Sequence, residues 1–314
     1  MFSGKHSALA TPAVRGLLKE LEVSIAQVIG TGKDGRVLKD DVYKYAAARD
    51  SISSSSFNLI TNQSPTTDVS PQREIPLPLT PIQSQMFKTM TRSLSIPHFL
   101  YADEINLTAL ATLRKRRNAQ STATEKLSYL PFIIKAVSII LAEYPLLNAR
   151  IEAPSSNTIH PSKESPRLIL RSNINIGIAM DTPQGLLVPN IKSVSSLSIT
   201  AIASHITRLR TLALAGKLSA ADLTGGTFTV SNIGSIGGTY VSPLIVANEV
   251  GILGIGKARD VPAFDEEGKV VRRTVANFSW CADHRVVDGA TMARVGERVR
   301  ALVEEPGEML VGLK

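Results

Sequence analysis

The chain has 314 residues, of which 43% are hydrophobic and 5% aromatic, and its formal charge is +8 at pH 7. This length accommodates one large domain and one small one. A single cysteine excludes an internal disulfide framework and a thiolate metal site, and no two histidines have metal-ligand spacing, so we expect no metal. No apolar run reaches about eighteen residues, so we expect no membrane span. The basic charge suits anionic partners, but no Lys/Arg stripe with interleaved aromatic residues indicates nucleic-acid binding.

Residues 8–48 are predicted to form a small helical unit. Thr11 and Pro12 are typical of a helix N-cap and first turn, and a second helix is expected from about Asp40. The first helix has an apolar stripe that consists of Val14, Leu17, Leu18 and Leu21. A unit this small has little core to spare, which favours a docking role over catalysis.

A glycine-rich loop joins these two helices, and its pattern Gly30-x-Gly32-x-x-Gly35 matches the dinucleotide-binding fingerprint letter by letter. That fingerprint requires a buried strand before the loop and a long helix after it. The unit ends near residue 48, so we favour a loop that needs positive φ angles and projects Lys33 and Arg36.

Residues 49–79 are rich in Ser and Pro without an apolar period, and we expect a flexible linker. Residues 80–314 form the large domain. Its apolar periodicity predicts helices over residues 82–94, 107–118, 130–144 and 199–215. Strands are expected over residues 99–107, around 174 and 178, and over 185–190, 227–231, 249–255 and 275–280, with an exit loop at 222–226. This mixed order predicts an α/β or α+β sandwich.

The stretch from Phe278 to Gly289 carries the strongest chemical signal. An apolar strand is followed by Asp283-His284-Arg285-Val286-Val287-Asp288-Gly289 and then by a helical pattern. A histidine at the mouth of a strand is placed like a general base on a rigid scaffold. The local residues alone allow a structural histidine equally well.

Several segments together resemble one family. The stretch 283–289 resembles the signature of the dihydrolipoamide acyltransferases, whose fold is that of chloramphenicol acetyltransferase, and 226–234 resembles their second active-site strand. Residues 8–48 resemble the peripheral subunit-binding domain of the same enzymes. The resemblance implies an α/β two-layer sandwich with a mixed sheet plus a small all-α domain. The stretches most similar to the branched-chain 2-oxo acid dehydrogenase complex are 95–104, 146–149 and 231–238.

The resemblance implies transfer of a branched-chain acyl group from S-acyl-dihydrolipoamide to CoA. His284 matches the general base, Ser231 the donor to the oxyanion, and Asp288 the carboxylate that supports His284. The alternative for Ser231 is a strand hydroxyl bonded to backbone, and for Asp288 a helix cap. Asn232 and Arg285 are the candidates for contacts with CoA.

The resemblance also implies partners. The hydroxyl and the histidine come from different chains of a homotrimer, and trimers assemble into a core of about 24 chains. The small domain binds the branched-chain decarboxylase and dihydrolipoamide dehydrogenase, through a basic face with Arg36, Lys33 and Arg15. The resemblance further implies a lipoyl group, which we expect on a domain that is not part of this sequence. We expect the mitochondrial matrix for a eukaryotic protein and the cytoplasm for a bacterial one.

Three other functions are considered. They are acetyl transfer in the pyruvate dehydrogenase complex, a non-catalytic scaffold that recruits dihydrolipoamide dehydrogenase, and a free-standing CoA-dependent acetyltransferase. Because His284, Ser231 and Asp288 are all present, the sequence favours an enzyme over a scaffold. One departure from the family pattern is that residues 245–249, Ile-Val-Ala-Asn-Glu, lack the prolines that relatives carry.

Overall fold

A computed structural model describes residues 9–48, 74–122, 126–152, 165–246 and 248–311. These residues form two compact units, which divide between Leu77 and Pro78. Most of the predicted linker, residues 49–73, lies outside the described residues. No helix in the described residues is long and apolar enough to cross a membrane.

The small unit contains helix α1 (Pro12–Glu20) and helix α2 (residues 39–48), with short 3-10 turns at Ile25–Gln27 and Lys33–Gly35. Pro12 opens α1 as predicted, although the side chain of Thr11 makes no capping hydrogen bond. The buried core of this unit is Val14, Leu18, Val23, Val28, Val37 and Val42. Apart from one isolated bridge between residues 10 and 37, the unit is helical, which confirms the all-α prediction.

The glycine-rich loop is held by backbone packing and by one carboxylate. A Cβ on Gly30 would lie 2.4 Å from the carbonyl oxygen of Gly35, so only glycine fits there. Positive φ occurs at Asp34 (59°) and Gly35 (76°) and not at Gly30, so the predicted positive φ holds for part of the loop. Asp41 accepts hydrogen bonds from Thr31 and from the backbone N–H of Leu38, and these donors lower the pKa of Asp41.

The large unit combines helices with a mixed sheet. Its helices are α3 (Pro81–Ser93), α4 (Thr108–Ala119), α5 (Leu130–Glu143), α6 (Ile199–Leu214), α7 (Ala220–Leu223), α8 (Gly289–Glu304) and α9 (Glu308–Val311). Its strands are β1 (His98–Asn106), β2 (Arg150–Glu152), β3 (Arg167–Ile169), β4 (Ile176–Ile178), β5 (Met180–Thr182), β6 (Gly185–Leu187), β7 (Asn190–Ile191), β8 (Phe228–Asn232), β9 (Gly251–Ile255), β10 (Arg259–Phe264) and β11 (Val270–Asp283).

Seven strands form the main sheet in the order β1-β11-β9-β8-β4-β7, with β10 also paired to β11. Strand β8 runs parallel to both β4 and β9, and the other pairs are antiparallel. The remaining described strands pair as β2 with β3 and β5 with β6. The sheet is therefore mixed, as the sequence predicts.

Alternation along β11 separates the two faces of this sheet. Phe278 and Trp280 point into the main apolar core, which they share with α5 and α8. Ser279 and Cys281 are buried on the opposite face. Helix α5 is apolar on nearly all sides and buried along most of its length, as predicted; its Lys135 donates to two backbone carbonyls. One helical layer on a mixed sheet confirms the predicted two-layer α/β architecture.

Several local predictions need correction. The single strand expected over residues 185–190 is divided into β6 and β7. Strand β11 was expected over residues 275–280 but spans Val270–Asp283, so it leads directly into His284. Strand β10 was missed because its charged residues mask the alternation. The exit loop expected at 222–226 begins inside the short helix α7, which Ser219 caps.

Candidate active site

His284 follows β11 in a turn that leads to α8. Asp283, the last residue of the strand, is 1% exposed and accepts hydrogen bonds from the backbone and the guanidinium of Arg285, the shortest at 2.6 Å. The backbone N–H of His284 donates to the carbonyl of Pro97 at 2.9 Å. The backbone under the histidine is therefore fixed from both sides, while its side chain is exposed.

Two neighbours act on the imidazole of His284. The ring of Phe99 lies 4.8 Å from it, centroid to centroid, at a 60° tilt. Asp288 is the N-cap of α8 and accepts from the N–H of Thr291 at 2.7 Å. The Thr291 donors, together with Arg294 and His284, hold the pKa of Asp288 below its ordinary value. Asp288 is therefore a helix cap and also a negative charge beside His284.

Ser231 lies near the end of β8 and is half-buried. Within the described residues its hydroxyl makes no hydrogen bond, unlike the hydroxyl of Thr229, which donates to Glu249 at 2.7 Å. The alternative in which Ser231 is bonded to backbone is therefore absent from this structure. The side chain of the next residue, Asn232, accepts from the N–H of Gly234 at 3.0 Å and so shapes the turn after the strand.

Residues 239–243 pack against Gly254 and Gly256, and Gly254 is the neighbour of Ser231 in the sheet. A Cβ on Gly254, the register partner of Ser231, would lie 2.4 Å from Cγ2 of Val241. A Cβ on Gly256 would lie 2.2 Å from the carbonyl oxygen of Thr239. Residues 239–243 can thus lie directly against β9 only because these positions have no side chain.

The structure does not bring Ser231 and His284 together within one chain. Ser231 lies level with Gly254, and Gly254 lies level with Ser279 on β11. His284 is five residues beyond Ser279 and two strands away from Ser231. Standard strand geometry converts this offset to roughly 19 Å. One chain therefore supplies two separate halves of the predicted site.

The other predicted site residues have clear environments. Arg285 is paired with Asp283, and 45% of its side chain remains exposed. Arg15, Lys33 and Arg36 in the small unit are exposed. Among the described residues, no group of three or more His, Cys, Asp or Glu side chains is placed to hold a metal ion.

Sequence reasoning missed Glu249, a buried carboxyl group immediately before β9. Desolvation raises its pKa to about 8, against the opposing effects of the hydrogen bond from Thr229 and the charge of Arg171. The guanidinium of Arg171 itself donates to the backbone carbonyls of Gly226 and Asn248, which bracket this carboxyl group. A lone glutamate before an apolar strand gives no sign of such burial.

His98 and Cys281, which lie near the His284 end of the sheet, have structural roles. Nδ1 of His98 lies 2.7 Å from the carbonyl oxygen of Ile96, and Nε2 accepts from the N–H of Ile245 at 3.0 Å. These two contacts fix the tautomer with the proton on Nδ1. Burial raises the pKa of Cys281 to about 11, so its thiol stays protonated and unreactive.

Comparison with known families assigns both units. Residues 71–311 match the catalytic domain of the 2-oxoacid dehydrogenases acyltransferase family, and residues 8–43 match the e3 binding domain. The chain belongs to the 2-oxoacid dehydrogenase acyltransferase family.

Relatives with known names belong to two kinds of 2-oxo acid dehydrogenase complex. The chain is 41% identical to the lipoamide acyltransferase component of the branched-chain alpha-keto acid dehydrogenase complex of Bos taurus, a mitochondrial protein, over 98% of its own length. It spans 65% of that relative's length. Relatives named for the branched-chain complex reach 40% to 44% identity, whereas those named for the pyruvate dehydrogenase complex reach 32% to 34%.

Solved structures share the fold of the large unit. The dihydrolipoamide acetyltransferase of Azotobacter vinelandii, studied for the roles of a serine, a histidine and an asparagine in its catalytic mechanism, is 33% identical, with a TM-score of 0.69 over 78% of this chain and 98% of that chain. The cubic core of a pyruvate dehydrogenase multienzyme complex is 32% identical, with a TM-score of 0.69 and the same coverage. The acyltransferase-core fold expected from the sequence is thereby confirmed.

Proposed function

We propose that this chain transfers a branched-chain acyl group from S-acyl-dihydrolipoamide to CoA, as the core component of a 2-oxo acid dehydrogenase complex. The observation that carries the proposal is His284, held at the rigid end of β11 with the anionic Asp288 one turn further on. The chain is more similar in sequence to relatives named for the branched-chain complex than to those named for the pyruvate dehydrogenase complex, which supports a branched-chain acyl group as the substrate.

In the proposed mechanism His284 takes the proton of the CoA thiol as the sulfur attacks the thioester carbonyl. Such general-base assistance contributes about 10² to 10⁴-fold to the rate. Asp288, whose pKa is lowered by the Thr291 donors, places a negative charge beside His284. Ser231, whose hydroxyl has no partner within the described residues, donates to the oxyanion, a contact that contributes roughly 10² to 10³-fold. The proton on His284 then passes to the departing dihydrolipoyl sulfur.

A complete site on this proposal requires a second copy of the chain. A base and an oxyanion donor that act on one carbonyl lie within hydrogen-bond reach of the same few atoms. The roughly 19 Å between Ser231 and His284 in one chain is far too large for this. We therefore propose a homotrimer in which each site combines Ser231 of one chain with His284 of the next, assembled into a core of about 24 chains.

The small unit is proposed to be the docking module, residues 8–48, tethered by residues 49–79 to the catalytic domain, residues 80–314. Its basic residues Arg36, Lys33 and Arg15 would meet acidic surfaces of dihydrolipoamide dehydrogenase and the branched-chain decarboxylase. Arg36→Ala should weaken dihydrolipoamide dehydrogenase binding in calorimetry, most at low salt, whereas Lys44→Ala on α2 should not. The proposed compartment is the mitochondrial matrix for a eukaryotic source.

Asn232 and Arg285 are proposed contacts for CoA. Only part of each side chain is available, since Asn232 Oδ1 accepts from Gly234 and the guanidinium of Arg285 is paired with Asp283. The lipoyl group would come from a domain outside the described residues, as a substrate delivered to the site.

The test compares acyl donors directly. Purified protein should transfer isobutyryl or isovaleryl groups from dihydrolipoamide to CoA faster than acetyl or succinyl groups. His284→Ala should abolish transfer, and His205→Ala on α6 serves as the matched control. Faster acetyl transfer would assign the chain to pyruvate chemistry. Turnover that survives in His284→Ala would remove the assigned base, and an inactive, well-folded wild type would indicate a scaffold.

A further inference from the structure

We propose that Phe99 is a positioning residue for His284, and that Gly289 is required because it leaves room for the Phe99 ring. This inference rests on the proposed acyl transfer for its kinetic consequence only. The arrangement itself joins three elements: β1 carries Phe99, the turn after β11 carries His284, and α8 begins at Gly289.

The imidazole of His284 is constrained by a ring and not by a hydrogen bond. Within the described ranges neither ring nitrogen of His284 makes a hydrogen bond, so the side-chain torsions depend on packing. The ring of Phe99 lies at 4.8 Å and 60°, which is a tilted aromatic arrangement of the preferred kind. Phe99 is paired with Ala282 and is half-buried, so its own backbone is anchored in the sheet.

Gly289 leaves room for the ring of Phe99. A Cβ on Gly289 would lie 3.2 Å from Cζ of Phe99 and 3.7 Å and 3.8 Å from its two Cε atoms. At 3.2 Å the ring must shift by a few tenths of an ångström, and the group that shifts is the aromatic ring that contacts His284. The first residue of α8 is therefore coupled to His284 through the Phe99 ring.

The same strand and helix provide a matched internal control. Tyr101, two residues along β1, packs on Gly296, seven residues along α8, where a Cβ would lie 2.6 Å from Cε1 of the tyrosine. Both aromatic residues pack against the main core, but only Phe99 contacts His284. Loss of either ring removes packing against the main core, and loss of Tyr101 also removes the hydrogen bond from its hydroxyl to Asp103. Only loss of the Phe99 ring should affect the base.

The kinetic test compares Phe99→Leu with Tyr101→Leu in the assembled protein. Phe99→Leu should lower kcat about tenfold with KM nearly unchanged, because a misplaced base affects the chemical step. Tyr101→Leu, which also removes the hydrogen bond to Asp103, should lose at least as much thermal stability and keep kcat within about twofold. Equal kcat losses in the two variants would reduce Phe99 to a packing residue and overturn the proposal.

Gly289→Ala separates positioning from stability. Alanine favours a helix over glycine, so the thermal midpoint should hold or rise. The displaced Phe99 ring should nevertheless lower kcat about threefold or more. An unchanged kcat in Gly289→Ala would contradict the coupling.

A readout without turnover keeps this inference distinct from the proposed function. Carbethoxylation of His284 by diethylpyrocarbonate, followed by peptide mass analysis, should be faster in Phe99→Leu than in wild type and unchanged in Tyr101→Leu. If no acyl donor is turned over by wild type, the proposed function fails and this modification rate alone decides the positioning role. Equal rates in all three proteins would overturn it.

Discussion

At the residue scale, Asp288 and Glu249 near the His284 end of the sheet are carboxyl groups whose pKa values are shifted in opposite directions. Hydrogen bonds from Thr291 lower the pKa of Asp288 and keep it anionic, whereas desolvation raises the pKa of Glu249 to about 8. Near neutral pH Asp288 then bears a negative charge beside His284, whereas Glu249 is protonated. This contrast is set by burial and by backbone donors, and the identity of the two residues alone does not reveal it.

Glu249 gives a testable pH dependence of stability. Its folded-state pKa, about 8, exceeds its ordinary value of 4.5, so the folded protein retains a proton that the unfolded chain loses. The free energy of unfolding therefore falls as pH rises from 4.5 to about 8, and the loss is complete above that range.

Glu249→Gln keeps a neutral acceptor for the hydroxyl of Thr229 and removes this titration. The variant should lose less stability between pH 6 and pH 9 than wild type, with a difference on the order of 2 kcal/mol. Thermal unfolding of both proteins at pH 6 and pH 9 measures this difference in stability loss. The altered residue is the only difference between the two proteins. Parallel pH profiles would mean that Glu249 is charged when folded.

At this scale the sequence can name a candidate site residue when that residue lies in a long motif. His284, Asp288 and Ser231 could each be named because surrounding residues repeat a family pattern. Glu249 and Phe99 could not, because their surroundings come from distant segments: Arg171 and Thr229 around the carboxyl group, and Gly289 and His284 around the ring. Burial that depends on tertiary contacts has no local signature.

At the element scale, the segment over β9 sets the surroundings of Ser231. Gly254 faces Val241 and Pro243 so closely that a methyl group cannot be added without moving the segment. Gly254→Ala should destabilise the protein by about 1 to 3 kcal/mol and lower acyl transfer, because the displaced segment borders Ser231.

Gly237→Ala is the matched control for that change. Gly237 belongs to the loop that carries residues 239–243, but a Cβ on Gly237 would meet no atom within 4 Å. The free energy of unfolding, measured by denaturation, and the rate of acyl transfer should both equal those of wild type in this variant. A Gly254→Ala protein that behaves in the same way would show that the segment moves aside freely.

The elements that sequence predicted well are those with strong apolar periods. Helices α5 and α6 and strand β1 lie within one residue of the predicted ranges. Strand β11 was cut short because its first residues, Val270 to Thr274, include two arginines, and its last residues are polar or small. Its full length matters for function, since only the complete strand reaches the turn that carries His284.

At the scale of the whole molecule, the sheet register separates the two halves of the proposed active site. Ser231 and His284 lie on different strands and at different levels, roughly 19 Å apart. No local motion of a hydroxyl or an imidazole spans that distance. The central claim is therefore that two neighbouring chains build each active site, with one half contributed by each.

Subunit complementation tests this claim most directly. Ser231→Ala and His284→Ala chains, each nearly inactive alone, should be co-expressed with different tags, and the mixed assemblies purified through both tags. With random mixing, about one quarter of the interfaces combine an intact Ser231 with an intact His284. Acyl transfer should then recover to about a quarter of the wild-type rate. Mixed assemblies no more active than either parent would contradict the shared site.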